Sequence, residues 1–393
     1  MLKRLNNIKE INKCANCGAC YSVCPVSAIS LCDTGIFYKY EVNEELCLHC
    51  GKCIRICPIQ NTENKNHLIG AYWGRHKSDQ IVLSSSSGGV FQALADYVLK
   101  KKNGVVFSAV YTQNCSRVEM LDSDNATVAE FKRSKYVESI VGNAFQKVKA
   151  CLDMGKYVMY CGTPCQVAGL RKFIGEKDQN LLLCDFSCGG VPSHQLYHDY
   201  LQSLSLKYKS DVKSVNFRSK RYGWGVHGIE IDFVNGKKYV SPAILDPYFY
   251  GFIGKHINVR DYCYHCDFVN NHYSDIILAD FWKYKKFGLK NNRTGISLIL
   301  TNSPVGEAVL HEIASEIDVH SIDLDSASYN IKRQEYTDEF LAQKDKFIRD
   351  YEEHGFAYVR KKYLSPSKQE RVKLRIKTAI KAIINRRNNR IGE

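Results

Sequence analysis

The sequence predicts a protein of mixed α+β and α/β class in three parts: a small cysteine-rich domain, a larger α/β core and a helical, basic tail. Three observations lead to this prediction. Nine of the 17 cysteines lie between Cys14 and Cys57. Helical and strand patterns alternate from about residue 68 to 320, which is typical of α/β folds. A basic amphipathic pattern follows Pro366. At 393 residues the chain exceeds the roughly 250–300 residues of a single core, so more than one domain is expected.

The cysteine-rich segment contains two quartets with the same spacing, C-x-x-C-x-x-C-x-x-x-C-P. This is the bacterial spacing for a pair of [4Fe–4S] clusters, in which the last cysteine of each quartet binds the other cluster. We therefore predict a bacterial-ferredoxin-like dicluster domain over residues 1–63. The ligands are Cys14, Cys17, Cys20 and Cys57 for the first cluster, and Cys47, Cys50, Cys53 and Cys24 for the second. A zinc ribbon or a disulfide framework fits this spacing less well.

Composition and charge exclude several classes of protein. Residues 1–11 lack the apolar region of a signal peptide, and no run of about 18 apolar residues exists. Together with the many cysteines, this indicates a cytoplasmic protein with reduced thiols. The net charge is +14, but residues 365–393 carry half of it, with nine Lys or Arg and two Glu. Because the remaining chain is only mildly basic, no nucleic-acid partner is expected.

The core is expected to begin near residue 68, after a polar linker. Its first part, residues 68–145, contains a helical pattern at 90–99 and a strand at 105–111. Its second part, residues 146–320, alternates between the two types of element. The predicted helices are at 145–152, 166–174, 193–204 and 307–316, and the predicted strands are at 157–160, 181–186, 276–279 and 296–300. A hairpin is expected at Asn235-Gly236.

The tail, residues 321–393, is predicted to be helical. A helix is expected at 336–351, and a second one follows Pro366, where Val372, Ile376 and Ile380 recur among Lys and Arg. A basic amphipathic helix can lie on an anionic membrane surface or dock on an acidic partner. The alternative is an ordinary packed terminal helix. Peripheral membrane contact through this tail is therefore one of three expectations for it.

Four cysteines of the core form a further candidate metal site. Cys165 and Cys188 each follow a predicted parallel strand, at the edge of the sheet where ligands collect. The pair Cys263-x-x-Cys266 adds two more thiols, so a third [4Fe–4S] cluster or a zinc ion could be bound. Two cysteines that the pattern places on strands are second-choice ligands: Cys161 and Cys184. The alternative is that these thiols are small buried hydrophobic groups.

A serine and glycine run at residues 84–89 precedes the first predicted core helix. Glycine allows a ligand to approach the backbone, and free N–H groups at a helix start favour a phosphate or a ring oxygen. An ordinary helix cap is the alternative. The run alone therefore does not identify a ligand.

Eight short strings, taken in order, resemble the coenzyme F-420 hydrogenase/dehydrogenase beta-subunit family. The similarity runs from about residue 68 to 310, and with the dicluster segment it covers about four-fifths of the chain. Single strings are weak signals, whereas the ordered set is specific. They are SSGGVF at 86–91, SKYV at 134–137, GTPCQVAGL at 162–170, CGGVPS at 188–193, NFR at 216–218, CYHC at 263–266, SDI at 274–276 and DFW at 280–282.

The resemblance implies an iron–sulfur flavoprotein oxidoreductase with a flavin-binding core. Family members move electrons between clusters and a flavin, usually FAD rather than FMN, and some family-like chains serve polysaccharide biosynthesis. By motif, the cluster nearest the flavin would be held by Cys165, Cys188, Cys263 and Cys266. The residues near the flavin would be Ser87, Gly88, Gly89, Lys135, Thr163 and Gln166. The family commonly has Cys-His-Gly where this chain has Cys188-Gly189-Gly190, which speaks against reduction of a deazaflavin.

The predicted function is electron transfer from a ferredoxin-like donor or another subunit, through the clusters, to a flavin and a small organic substrate. Lys135 and Arg218 could bind an anionic group of the flavin or substrate. The candidate proton donors are His194, His227 and His265. The alternative is an electron-transfer subunit of a larger complex with no substrate of its own. No catalytic residue is predicted.

Overall fold

A computed structural model describes residues 8–10, 13–62, 68–175, 178–289, 294–327 and 334–387 of the chain. Its strands form three sheets, of two, three and nine strands. The strands are β1 (Ile29–Asp33), β2 (Tyr38–Val42), β3 (Gly70–His76), β4 (Val105–Thr112), β5 (Arg117–Asp122), β6 (Ser139–Ile140), β7 (Val158–Cys161), β8 (Leu181–Phe186), β9 (Val212–Ser219), β10 (Gly228–Phe233), β11 (Lys238–Pro242), β12 (Ile276–Asp280), β13 (Ser297–Thr301) and β14 (Ile317–Ser321).

The helices range from single turns to long segments near the end of the chain. They are α1 (Ala19–Val23), α2 (Lys52–Arg55), α3 (Asp79–Leu83), α4 (Val90–Asp96), α5 (Val128–Phe131), α6 (Ala144–Asp153), α7 (Pro164–Ile174), α8 (His194–Tyr208), α9 (Pro247–Phe249), α10 (Pro304–Glu312), α11 (Leu324–Ala327), α12 (Asp338–Lys362) and α13 (Lys368–Arg387). Two of them continue as π-helical turns, α4 over Tyr97–Lys101 and α9 over Tyr250–Gly254. No helix of the described chain combines the length and the apolar character that a membrane span requires.

The dicluster domain is built from the antiparallel β1–β2 hairpin and two short helices. Helices α1 and α2 each begin after a glycine in the left-handed region, Gly18 (φ 84°) and Gly51 (φ 67°). This conformation, which glycine adopts without steric cost, turns the chain between the second and third cysteine of each quartet. At Gly18 a side chain would also collide with Val141 of the core, since a Cβ there would lie 2.9 Å from the Val141 Cβ. The domain therefore packs closely on the core.

The nine-stranded sheet has the order β14-β3-β13-β12-β8-β7-β4-β5-β6. Its centre is parallel, because β4 pairs with β7, β7 with β8, and β8 with β12 in that sense. Strands β7 and β8 are almost wholly buried, as expected for parallel strands covered on both faces. Both parts of the core contribute strands to this one sheet. The carboxyl ends of β7, β8 and β12 meet at one edge, where ligands bind in open α/β sheets.

The three-stranded sheet, β11-β10-β9, packs with α8, α9 and α12 around a second hydrophobic core. Fully buried aromatic side chains such as Phe217, Phe233 and Tyr248 fill this core. Helix α12 bends at Gly355, whose φ of 73° and ψ of −178° interrupt the helical backbone. Strand β9 gives Arg218, near its end, its position.

The mixed α/β class, the N-terminal cysteine-rich domain and the helical C-terminal part agree with the sequence prediction. The predicted hairpin at Asn235-Gly236 is confirmed, since it joins β10 and β11. The helix predicted at 166–174 begins two residues earlier, at Pro164, because Thr163 caps it. Strand β3 was not predicted, although it lies between β13 and β14 inside the large sheet.

Candidate functional site: three thiol sets and a cavity

The structure brings together the four thiols predicted for the first cluster. Burial raises the pKa of Cys17, and the negative charges of Cys20 and Cys57 raise it further. The pKa of Cys20 rises for the same reasons, with contributions from Cys14 and Cys57. Such mutual repulsion between thiolates is relieved when they share a metal cluster. The last cysteine of the second quartet, Cys57, thus lies with the first three of the other quartet, as the spacing predicts.

The four thiols predicted for the second cluster also lie together. The four are Cys24, Cys47, Cys50 and Cys53. All of them line one small cavity, together with Pro25, Leu48 and Gly51. Two backbone N–H groups donate to ligand sulfurs of the dicluster domain. The donor of Ala28 lies 3.2 Å from the Cys24 Sγ, and that of Asn16 lies 3.3 Å from the Cys14 Sγ. Hydrogen bonds of this kind adjust the reduction potential of an iron–sulfur cluster.

The four core cysteines converge although they come from three separate segments. Cys165 lies in the first turn of α7, Cys188 lies two residues beyond β8, and Cys263 and Cys266 lie in and directly after the turn Asp261–His265. All four line one cavity of about 200 Å³. Burial raises the pKa of each thiol, and each of the six pairs within the set contributes a mutual repulsion.

The chemistry of this donor set suits two kinds of metal site. Four thiolates suit either zinc or [4Fe–4S]. Zinc–sulfur bonds are only about 2.3 Å long, so a zinc site draws its sulfurs tightly around one ion. The cavity that the four cysteines line with other residues has a volume of about 200 Å³, which leaves room for a group larger than one ion. The second-choice thiols Cys161 and Cys184 lie instead side by side on β7 and β8, where both are buried.

The loop after Cys188 is held by a histidine from another segment. The Nε2 atom of His256 donates to the carbonyl oxygen of Gly189, and the hydroxyl of Tyr336 donates to His256 Nδ1 at 2.5 Å. Burial lowers the pKa of His256, which fits a neutral ring with one donor and one acceptor nitrogen. Gly190 has a φ of 105°, a conformation that other residues rarely adopt. A histidine thus contacts this loop from position 256, and not from the position directly after the cysteine, as in the family's Cys-His-Gly string.

A larger cavity, of about 350 Å³, lies at the carboxyl edge of β7, β8 and β12. This volume is within the usual range for sites of small molecules and cofactors. Five of the six predicted flavin contacts line it: Ser87, Gly89, Lys135, Thr163 and Gln166. The sixth, Gly88, is occupied in packing instead. A Cβ at Gly88 would lie 2.5 Å from the carbonyl oxygen of Gly74 and 2.7 Å from the Ser297 nitrogen. Glycine is therefore needed where this segment packs closely against β3 and β13.

The two cavities share one wall, the segment 187–191 that contains Cys188. The start of α7 also touches both, since Thr163 lines the larger cavity and Cys165 lines the smaller one. Thr163 and Gln166 form a capping box, in which the Thr163 N–H donates to Gln166 Oε1 at 3.1 Å. The N-terminus of a helix carries partial positive charge, which favours electron-rich groups on either side of this wall.

One side of the larger cavity is a rigid cluster of Arg218, Asp280 and tryptophans. Arg218 donates to both Asp280 oxygens, at 2.9 and 2.8 Å, and to the carbonyl oxygen of Ser86 at 3.2 Å. Trp282 is 41% exposed and stacks on the buried Trp224, with ring centroids 4.6 Å apart. Since its partners hold it in place, Trp282 presents a fixed aromatic face at the edge of the cavity.

Lys135 is tied to the backbone beside the cavity. Its Nζ donates to the carbonyl oxygens of Phe131, Lys132 and Arg133, at 3.2, 3.1 and 3.2 Å. Burial lowers its pKa from the usual value to about 7. A lysine in this state can lose its charge near neutral pH, so its attraction for an anionic ligand depends on pH.

Two groups, one lining the cavity and one in contact with its lining, were not singled out from the sequence. Asp185 lines it and forms a fully buried ion pair with His272, whose Nδ1 lies 2.9 Å from both carboxylate oxygens. Lys220 donates to the carbonyl oxygen of Ser87 at 2.9 Å, and burial lowers its pKa to about 7. No local spacing in the sequence reveals either group. Asp185 and His272 are 87 residues apart, and Lys220 and Ser87 are 133 residues apart. The candidate proton donor His194 lies elsewhere, in a contact with Asp33 of the dicluster domain.

Comparison with known proteins identifies two regions. Residues 155–326 match the family model for the C-terminal part of the coenzyme F420 hydrogenase/dehydrogenase beta subunit. Residues 13–61 match the model of the 4Fe-4S dicluster domain. No curated protein sequence matches the chain. Among solved structures, a chain of the F420-reducing [NiFe] hydrogenase complex from Methanosarcina barkeri is similar, at 16% identity and a TM-score of 0.45, covering 74% of this chain and 95% of that chain.

These matches confirm the predicted resemblance and the two N-terminal [4Fe–4S] clusters. They make the chain an iron–sulfur electron-transfer protein related to the beta subunits of an oxidoreductase family.

Proposed function

We propose that this chain, whose residues 155–326 belong to the coenzyme F420 hydrogenase/dehydrogenase beta-subunit family, is an iron–sulfur flavoprotein oxidoreductase. Electrons would pass from a ferredoxin-like donor through three [4Fe–4S] clusters to a flavin, and then to a small organic substrate. The observation that carries the proposal is the wall 187–191, which a four-thiol cavity and a cofactor-sized cavity share.

The larger cavity suits a flavin in its chemistry, and its volume of about 350 Å³ lies at the lower end of the range for cofactor sites. A flavin, when bound, couples the one-electron steps of clusters to two-electron chemistry. The chain's own contribution is binding and orientation. Lys132, Arg133 and Lys135 supply positive charge along one side, which suits the phosphate groups of FAD. The start of α7 supplies the positive end of a helix dipole at the wall next to Cys188.

The cavity favours an enzyme over a simple relay. A relay would shield its flavin or surround it with a large apolar docking patch. This cavity has instead several convergent polar groups, among them Ser86, Gln166 and Arg218, and Trp282 is accessible at its edge. Such a combination is typical of small-molecule sites. The second candidate, a subunit of a larger complex without a substrate of its own, is favoured by the family description, which names a beta subunit. A role in polysaccharide biosynthesis stays a prediction.

Electrons would enter through the dicluster domain. The second thiol set lies near the surface, where Cys50 is exposed. Leu46 and Leu48 beside it are 53% and 64% exposed. Exposed apolar side chains around a redox centre suit the small, transient interfaces of electron-transfer partners. The partner would be a ferredoxin or another subunit.

We also propose peripheral contact of α13 with an anionic membrane surface. Val372, Ile376 and Ile380 are each more than half exposed and recur at intervals of four residues. Lys373, Arg375 and other cations flank them. An exposed apolar stripe between cations is typical of a helix that lies in a lipid interface.

Electron delivery to the flavin tests the proposed function. Anaerobic protein with oxidised flavin is mixed with a reduced bacterial-type ferredoxin, and the flavin absorbance is followed. The proposal predicts reduction of the flavin in the natural protein and its loss in Cys188→Ser. The matched control is Cys32→Ser, which removes a dicluster-domain thiol outside both quartets. Unchanged reduction in Cys188→Ser would contradict the proposed path. Reoxidation of the flavin by a small acceptor, rather than by a protein alone, separates the enzyme from the relay.

A further inference from the structure

A buried carboxylate of the core reaches into the dicluster domain. Glu138 is only 3% exposed. It accepts hydrogen bonds from the Asn16 side chain at 2.8 Å and from the Tyr38 N–H at 3.1 Å. Both donors belong to the dicluster domain, 122 and 100 residues away in sequence. A buried charge is costly unless it is paired and hydrogen-bonded, so these contacts require a cation nearby.

That cation is Arg260, which is also buried. Its guanidinium donates to Glu138 and, at 2.7 Å, to the carbonyl oxygen of Tyr38. It also lies over the ring of Phe37, 4.9 Å from the centroid. Both backbone polar groups of Tyr38 are therefore bound by the core. Its N–H donates to the Glu138 carboxylate, and its carbonyl oxygen accepts from the Arg260 guanidinium. The ring of Tyr38 stacks on the core residue His194, with centroids 3.7 Å apart.

Arg260 lies between two of the thiol sets. Burial alone would lower its pKa, but the charges of Glu138, Cys14 and Cys263 act on it and raise it. Cys14 belongs to the first set and Cys263 to the third. The Cys263 N–H donates to the Arg260 carbonyl oxygen at 2.9 Å, so the guanidinium and a ligand of the third set share one short turn.

The same two thiol sets approach each other along α7. A Cβ at Gly169 of this helix would lie 3.0 Å from the Cys17 Sγ, so the helix that carries Cys165 in its first turn is in contact with a ligand of the first set. The charge of Cys165 contributes to the raised pKa of Cys17. The contact between the domain and the core thus includes a ligand of the first set and the helix that carries a ligand of the third.

We propose that Glu138 and Arg260 are positioning residues that clamp Tyr38 on the core and fix the separation of the first and third clusters. Electrons then cross from domain to core at one set distance. A buried ion pair rarely adds net stability compared with apolar side chains, whereas it can specify a unique arrangement. This inference rests on the proposed function for the third cluster, but the clamp on Tyr38 is a separate claim.

The test uses the complete, anaerobically purified protein. The double variant Glu138→Met/Arg260→Met removes both charges, so that neither is left buried without its partner, and it also removes the acceptor of the Tyr38 N–H and the donor to the Tyr38 carbonyl oxygen. Arg260→Lys keeps the charge but loses the planar guanidinium, whose Nη2 atom donates to both Tyr38 and Glu138. The control is Asp246→Asn, which alters a fully buried carboxylate that accepts from Tyr200 and Tyr239 in the second hydrophobic core. Iron content, hydrogen exchange of the Tyr38 amide and the rate of flavin reduction by reduced ferredoxin are measured.

We expect the double variant to keep its iron while the two other readouts change. Exchange of the Tyr38 amide should accelerate about fivefold or more, the effect of losing one hydrogen bond. Flavin reduction should slow about tenfold or more, since a misplacement of about 1 Å in a preorganised site can cost that much. Both rates in Arg260→Lys should lie between those of the natural protein and those of the double variant. Asp246→Asn should leave both rates unchanged.

Three outcomes overturn the inference or part of it. Unchanged Tyr38 exchange in the double variant refutes the clamp. Faster exchange with an unchanged rate of flavin reduction refutes the role in electron transfer. An equal slowing in Asp246→Asn shows a general loss of stability instead of positioning. If the natural protein contains no flavin or third cluster, the proposed function fails, and the Tyr38 exchange still decides whether the clamp exists.

Discussion

At the scale of single residues, burial controls the charge of the lysines beside the larger cavity. Lys135 and Lys220 both have pKa values near 7 because burial disfavours their charged forms. Their ammonium groups donate to backbone carbonyl oxygens, which partly offset this cost. Each side chain is therefore neutral or charged according to small changes in pH or to the arrival of an anion.

The affinity for flavin should fall as the pH rises through about 7. Lys135 is protonated below its pKa of about 7 and attracts the flavin phosphate groups, and it loses that charge above it. Lys135→Met should weaken binding about tenfold at pH 6, the value of one charged hydrogen bond, and flatten the dependence on pH. Flavin titration of cofactor-depleted protein between pH 6 and 8.5 measures both effects. Lys238→Met, an exposed lysine paired with Asp232, is the control. An equal pH dependence in Lys135→Met would contradict this account.

Trp282 should bind planar acceptors. Its fixed, accessible ring can stack on a flat substrate, which is worth about 0.5–1.5 kcal/mol. Trp282→Leu should therefore raise KM for a small quinone about fivefold with little change in kcat, and Trp282→Phe should retain most of the affinity. Steady-state kinetics with benzoquinone as acceptor checks this. The idea fails if Trp282→Leu and the natural protein have the same KM.

The cysteine ligands could be predicted from the sequence, whereas the residues that position them could not. The quartets have a fixed local spacing, which records how the chain wraps a cluster. Glu138, Arg260 and His256 have no such spacing, because each meets its partner only after distant segments are folded together. The same is true of Gly88, for which local sequence suggested a ligand and tertiary packing explains the glycine.

At the scale of elements, α7 organises the site. Its first turn carries Cys165, its capping box faces the larger cavity, and its Gly169 touches a ligand of the first set. The sequence predicted this helix over 166–174, two residues short of its start at Pro164. Strand β3 was missed, because its alternation is weak and only its pairing with β13 and β14 makes it a central strand.

Removal of one thiol of the third set should cost one cluster. Cys266→Ser should lower the iron content from about twelve to about eight atoms per chain, at four irons per cluster. The dicluster signals in electron paramagnetic resonance should remain, since its ligands lie in a separate domain. The control is Cys151→Ser, a half-buried thiol of α6 outside all three sets. Equal iron in Cys266→Ser and the control would refute the third cluster.

Helix α13 should bind anionic vesicles. Replacement of Val372, Ile376 and Ile380 by serine should abolish most cosedimentation with phosphatidylserine vesicles, because the apolar stripe is lost. Binding should also weaken at high salt and with uncharged phosphatidylcholine. Leu206→Ser, which alters an exposed leucine on α8, is the control. Binding that survives the triple replacement would exclude the helix as the contact.

At the scale of the whole molecule, the thiol sets and the larger cavity form a single series. The charge of Cys53 in the second set acts on Cys20 in the first. Cys165 in the third set acts on Cys17 in the first. The third set then shares the wall 187–191 with the larger cavity. The series begins near the surface at Cys50 and ends beside Trp282. This order is what electron transfer from an external donor to an internal flavin requires.

The stoichiometry of iron and flavin in the natural protein tests the central claim most directly. The chain is purified without oxygen, and iron, acid-labile sulfide and released flavin are counted per polypeptide. The account predicts about twelve irons, about twelve sulfides and one flavin, from four irons per cluster. About eight irons without flavin would leave only the dicluster domain and would contradict both the third cluster and the flavoprotein.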